Sequence, residues 1–158
     1  MKKEVTFKLN GEMRTFDFEP NLTLADALRD RVGLKSLKCG CERGDCGSCT
    51  ILIDGKSVKS CLILAVEAEN HEVTTLEGLM IKGKLTPIQK SALKSNAFQC
   101  GYCAPGIIMA ATELIRKNPN PHKEEVREAI AGNLCRCTGY TPIVDAIMDY
   151  KKFEGDKE

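Results

Sequence analysis

The stretch that organises this chain is Cys41-Glu42-Arg43-Gly44-Asp45-Cys46-Gly47-Ser48-Cys49. Its three cysteines have the spacing C-x4-C-x2-C, and a fourth, Cys61, follows after eleven intervening residues. A second set lies downstream: Cys100 and Cys103, then Cys135 and Cys137, in the spacing C-x2-C-x31-C-x-C. Eight of the nine cysteines thus form two tetrads. Four thiolates gathered in one place select an iron–sulfur cluster, zinc or Cu(I). Gly40, Gly44 and Gly47 suit a loop that must wrap tightly. Glycine accepts positive φ and lets backbone N–H groups approach sulfur.

The C-x4-C-x2-C run is the plant-type [2Fe–2S] spacing. Zinc is the rival, because C-x2-C is also a zinc spacing, but zinc sites usually pair two separated knuckles. No C-x2-C-x2-C run is present, which argues against a [4Fe–4S] cluster. A Rieske centre needs two histidines. The chain has only His71 and His122, far apart and in polar stretches. Each pair of the second tetrad precedes an expected helix, whose positive end favours thiolates and an anionic cluster. The reading is two [2Fe–2S] clusters, one on Cys41, Cys46, Cys49 and Cys61, the other on Cys100, Cys103, Cys135 and Cys137. Cys39 is left over and is expected to be a small packing residue or idle thiol, not a ligand.

Composition limits the alternatives. The chain has 158 residues, enough for one ordinary domain or two small ones. Hydrophobic content of 42% and charged content of 28% mark it as globular rather than disordered. Lys plus Arg is 23 and Asp plus Glu is 22, so no basic surplus points to nucleic acid. Two all-cysteine clusters would carry the formal charge from +1 to about −3. That mild charge fits a subunit packed against partners better than a free acidic ferredoxin. No apolar run approaches the ~20 residues needed to span a bilayer. The start, MKKEVTFKLNGE, turns polar too soon for a signal peptide. The expectation is a cytoplasmic protein without membrane contact. Structural disulfides are rare there, so the cysteines point to metal.

The first half reads as β-rich. Glu4 to Leu9 alternates, Asn10-Gly11 is a hairpin signal, and Met13 to Phe18 returns. Thr23 is placed to cap a helix that ends near Gly33. Thr50 to Ile53 and Ser57 to Ser60 flank an Asp54-Gly55 turn. Leu62 to Val66 and Glu72 to Thr75 are expected as further short strands. After about Gly78 the character changes. Thr86-Pro87 opens a helix through Asn96, Pro105 opens a second, Lys123 to Ala131 forms a third stopped by Gly132, and Pro142 opens a fourth. The tail from Glu154 to Glu158 is expected to fray. The fold class is α+β: a β-grasp, plant-type ferredoxin domain over 1–78, then a four-helix [2Fe–2S]-binding domain over 79–158.

Three motifs, KCGCERGDCGSC, QCGYCAPG and GNLCRCTGY, resemble the iron–sulfur subunit of the molybdenum hydroxylases, the xanthine dehydrogenase, aldehyde oxidoreductase and carbon monoxide dehydrogenase family. The resemblance runs from about Val5 to Tyr150. It implies the same two-domain fold. It also implies an electron-transfer subunit without substrate chemistry of its own, relaying electrons between molybdopterin on a large subunit and FAD on a medium subunit. The pterin in prokaryotic members commonly has the cytosine dinucleotide form, and the complex is expected to be a dimer of heterotrimers. The second tetrad would sit beside the pterin, with Gln99 and Cys137 approaching it, and the first would face the flavin. Cys39, Ser48 and Ala104 depart from the usual residues without removing a ligand. A free-standing two-cluster ferredoxin is the alternative, and a reductive acyl-CoA branch exists within the family. Neither substrate nor direction of electron flow is readable from the motifs.

Overall fold

The computed structural model describes residues 1–155. Strand β1 (Lys3–Leu9) buries every second residue, Val5, Phe7 and Leu9, as a half-covered strand must. It pairs antiparallel with β2 (Glu12–Phe18) through the Asn10-Gly11 turn. Both turn residues have positive φ, 50° and 89°, the requirement of a two-residue hairpin. The same device joins β3 (Thr50–Ile53) to β4 (Lys56–Lys59) at Asp54 and Gly55. Strand β5 (Glu72–Thr74) enters between the two hairpins, parallel to β1 and antiparallel to β3. The sheet order is β2-β1-β5-β3-β4.

Thr23 caps the first helix. Its hydroxyl accepts from the Asp26 N–H at 3.1 Å. The helix opens as a short α turn, α1 (Leu24–Asp26), and widens into a π turn over Ala27–Arg31. Leu24, Ala25, Ala27 and Leu28 lie against the sheet with Val5, Phe7 and Ile51, forming the first core. Leu62 to Val66 does not form the strand expected from its apolar run. Ser60–Leu62 and Ala65–Ala68 are 3-10 turns, with a single bridge from Leu64 to Thr23. The Glu67 carboxylate accepts the Leu64 N–H at 2.7 Å, and Leu22 O and Leu24 N bind Ala65 and Ile63. The backbone groups a ladder would need are therefore already engaged.

The second half contains α2 (Pro87–Lys94), α3 (Ala104–Lys117), α4 (Lys123–Ala129) and α5 (Thr141–Met148). Thr86 caps α2, its N–H donating to Gln89 Oε1 at 2.8 Å, and Pro87 takes the first position. Helix α4 stops at Ile130 rather than Gly132, which is not in the left-handed region. Ser91 donates to Ala146 O at 2.7 Å, where small residues let α2 and α5 approach. Of the tail expected to fray, Glu154 and Gly155 form a turn, and 156–158 lie outside the described residues.

Strand β3 belongs to both halves. Ile51 points into the first core, and Leu52 points the other way, among Ile107, Met109 and Ile147 of the helical core. Burial on both faces explains its unbroken apolar run. At Gly106, on α3, a Cβ would collide with the Gly47 carbonyl. Gly106→Ala is expected to cost about 2 kcal/mol through overpacking of the contact between the halves. A lower guanidinium midpoint would check this.

The junction before α2 is pinned by Glu77. Its carboxylate accepts from the Ser36 N–H at 3.0 Å and from the Ser36 and Thr75 hydroxyls at 2.6 Å each. Burial alone would raise this group, but these donors outweigh it and hold the carboxyl below its ordinary value. The stabilisation is therefore complete above the ordinary carboxylate range and fades as pH falls through the depressed folded value. Glu77→Gln should lose about 2 kcal/mol at neutral pH. Its deficit should shrink on acidification, as read by unfolding curves at several pH values.

Candidate metal centres

The first cysteine loop runs between α1 and β3 and is held open by its backbone. Glu42, Gly44 and Gly47 take positive φ of 55°, 85° and 72°. Glu42 is the unexpected one, since no motif marks it. Gly40 is needed for a different reason than expected: its φ is not positive, but a Cβ there would press on Cys46 Sγ at 3.2 Å. The loop aims N–H groups at sulfur. Cys46 N donates to Cys41 Sγ at 3.3 Å. Hydrogen bonds from the Arg43 and Cys46 backbone bring the Cys41 thiol down to about 7. Cys61 arrives from the turn after β4 and contacts Cys49. Burial, then that contact, pushes its thiol up to about 12.

The second tetrad joins two loops 31 residues apart. Cys103 is the N-cap of α3. The Cys135–Cys137 segment does not sit directly on a helix end, because Thr138, Gly139 and Tyr140 intervene before α5. Other groups replace the helix dipole there. Thr138 Oγ1 lies 3.1 Å from Cys135 Sγ. Burial works against the Cys135 thiolate, but Thr138 and the Cys137 and Thr138 amides outweigh it and lower the thiol. Tyr140, at φ 70°, turns its hydroxyl back to accept the Cys135 N–H at 2.9 Å and donate to Asn133 O at 3.2 Å.

The thiols come in twos. Cys137 and Cys100 have their sulfurs 3.6 Å apart, both on exposed residues. Cys103 contacts Cys135, and burial followed by this contact pushes Cys103 up to about 12. In the first loop Cys41 pairs with Cys46, and buried Cys49 with buried Cys61. Each tetrad therefore has an outer pair and an inner pair. Among the described residues, no three His, Cys, Asp or Glu side chains group as a single metal ion would need. Two thiolates per metal is the donor set of a dinuclear [2Fe–2S] cluster, in which each iron takes two protein ligands. A lone tetrahedral zinc would need all four at one point.

Cys39 stands apart. It packs against the first core, and burial, then the nearby Cys49, pushes its thiol to about 11. Its carbonyl accepts the Tyr102 hydroxyl at 2.8 Å. Gln99 is exposed beside Cys100 and lines a mainly apolar hollow of about 410 Å³ with Leu93, Phe98 and Ile108.

The two loops touch. Leu134 N donates to Cys46 O at 2.8 Å. Buried Asn133 donates its side-chain amide to Gly47 O at 2.8 Å and Thr50 Oγ1 at 3.2 Å. Gly47 admits no Cβ, which would strike Gly132 O and Asn133. Asn133, Thr138 and Tyr140 were not singled out from the motifs, although all three lie in or beside GNLCRCTGY. The partners of Thr138 and Tyr140 are local, but those of Asn133 (Gly47 and Thr50) lie in a loop that only the fold brings alongside.

Comparison with known proteins agrees with this geometry. Residues 7–78 match the family described as a 2Fe-2S iron-sulfur cluster binding domain, and residues 75–148 match a [2Fe-2S] binding domain family. The chain is 47% identical to the nicotine 6-hydroxylase small subunit of Paenarthrobacter nicotinovorans, covering 98% of this chain and 93% of that one. It is 45% identical to the xanthine dehydrogenase iron-sulfur-binding subunit of Escherichia coli O157:H7, over 91% of each. The crystal structure of quinoline 2-oxidoreductase from Pseudomonas putida 86 superposes with a TM-score of 0.92 at 48% identity, covering 96% of both chains. The aldehyde oxidoreductase of Desulfovibrio desulfuricans superposes with a TM-score of 0.90 at 44% identity, over 94% of this chain and 17% of that one. With two cluster-binding domains in order and relatives matched along nearly their whole length, the chain belongs to the iron–sulfur small subunits of the molybdenum hydroxylase family.

Proposed function

We propose that this chain carries one [2Fe–2S] cluster on Cys41, Cys46, Cys49 and Cys61 and a second on Cys100, Cys103, Cys135 and Cys137, and relays single electrons between them. The observation that carries the reading is the pairing of thiols in both tetrads, with a direct hydrogen bond joining the two loops. Bound clusters would supply the redox chemistry. The protein's own residues hold the thiolates, point N–H donors at sulfur and keep the inner pairs dry. Hydrogen bonds to sulfur and burial are the protein's means of setting a cluster's potential. We assign 1–78 and 79–158 as the two units.

The ends of the relay lie on other polypeptides. We place the second tetrad toward a large molybdopterin-binding subunit. Exposed Cys100 and Cys137 favour this, as does Gln99 at the rim of an apolar hollow. The first tetrad would face a medium FAD-binding subunit. A cytosine dinucleotide pterin, a dimer of heterotrimers and a cytoplasmic setting complete the proposal. No helix among the described residues is long and apolar enough to cross a membrane. The relatives matched along most of their length carry the names of nitrogen heterocycles, including nicotine, xanthine, caffeine and quinoline. We therefore propose a substrate of that class on the large subunit. A free-standing ferredoxin is less favoured, because those relatives are named as subunits.

Metal content tests the assignment. Purified protein should hold about four irons with matching labile sulfide per chain and give two electron paramagnetic resonance signals after dithionite. Cys41→Ala should halve the iron and remove one signal. Cys39→Ala should keep both signals. A colourless, zinc-loaded preparation would refute the proposal, and loss of half the iron from Cys39→Ala would refute the first ligand set.

A further inference from the structure

Between the two cysteine loops sits a cation without a counter-charge. Lys59 lies in β4, two residues before Cys61, and is half-buried. Its ammonium donates to Gly132 O at 2.9 Å and Thr50 Oγ1 at 3.1 Å. Gly132 belongs to the segment that leads into Cys135, and Thr50 directly follows Cys49. Both acceptors are neutral, and among the described residues Lys59 enters no ion pair. Arg43, also in the first loop, is by contrast neutralised by Asp45 at 2.6 Å. Thr50 donates to Gly47 O at 2.7 Å and receives Asn133, so the acceptors of Lys59 are themselves fixed. A carbon built on Gly132 would lie 3.3 Å from the lysine nitrogen, so this glycine makes room for the cation.

We propose that the Lys59 ammonium is a fixed positive charge, set between the two cysteine loops, that raises the reduction potentials of both clusters. The inference rests on the two-cluster reading above. Each cluster gains one negative charge on reduction. A positive charge held nearby, partly out of water, stabilises that product more than the oxidised state, because attraction grows as effective dielectric and ionic screening fall. A free surface lysine would be screened and mobile. Lys59 is half-buried, and two acceptors on opposite loops hold its position.

A purely mechanical role, tying Gly132 to Thr50, is the competing explanation. The two differ in what they move. A tie changes stability and cluster retention, whereas a charge changes midpoint potentials. Lys59→Met, Lys59→Gln and Lys59→Arg in the full chain, purified in its native complex, separate them. The readouts are iron per chain and redox titration of both resonance signals. With iron retained, Met and Gln should shift both midpoints negative by about 59 mV, a tenfold change in the one-electron equilibrium. Arg should restore them. Unmoved midpoints in an iron-replete Met or Gln variant would overturn the inference. Loss of iron from both neutral variants would also overturn it, since a structural tie then accounts for the residue. Absence of cluster signals from the unaltered protein would instead defeat the two-cluster reading.

Discussion

The contact between the Gly47 turn and the Gly132–Leu134 segment is the constraint on which the rest of the molecule depends. Asn133 and Leu134 satisfy carbonyls of the first loop, while Gly47 and Gly106 leave no space for a side chain between the halves. A buried amide without its acceptor would cost more than the bond itself contributes, so the register of one loop against the other is tightly specified. Both tetrads hang from this contact. Cys46 and Cys49 flank Gly47, and Cys135 follows Leu134. The separation between the redox sites is therefore set by backbone packing rather than by flexible side chains. A relay needs this, because electron transfer is sensitive to small changes in distance.

The division of each tetrad into an outer and an inner pair gives the relay a polarity. The inner thiols, Cys49 with Cys61 and Cys103 with Cys135, face apolar cores. Of the outer thiols, Cys100 and Cys137 lie on exposed residues and Cys41 and Cys46 on half-buried ones. A dinuclear cluster placed across such a gradient has one iron in a drier, lower-dielectric setting than the other. Burial makes Cys61 and Cys103 hold their protons firmly, and backbone hydrogen bonds let the outer Cys41 give its proton up more readily. Loading with iron must release those protons, so assembly is coupled to protonation as well as to folding.

Much of this was legible in the sequence, for identifiable reasons. Asn10-Gly11 and Asp54-Gly55 marked hairpins because few residue pairs accept two positive φ angles. Thr23, Pro87 and Pro105 marked helix starts because capping is local. The cysteine spacings set out two tetrads, and the fold brings Cys41 beside Cys46, Cys49 beside Cys61, Cys100 beside Cys137 and Cys103 beside Cys135. What escaped depended on distant partners. Leu62 to Val66 reads as a strand by hydrophobicity, yet Leu22, Leu24 and Glu67 take its hydrogen bonds first. Gly132 reads as a helix stop, yet it is a carbonyl and a space for Lys59. Asn133 carries no local signal of its role, and its acceptor Gly47 lies 86 residues away. Local rules reported local conformation, and the loop-to-loop contacts required the fold.

The shared strand β3 has a consequence for biogenesis. On the ribosome the five strands are all available once β5 has emerged, but Leu52 still lacks its cover. Helix α3 supplies that cover only after the linker and α2 have been made, a delay of roughly a few seconds at 5–20 residues per second. During that interval the nascent sheet presents an oily face, and the loop bearing Gly47 has no Asn133 to brace it. The brace on the first cysteine loop thus comes from residues made after it, Asn133 and Leu134, although the cysteines of that loop are synthesised first.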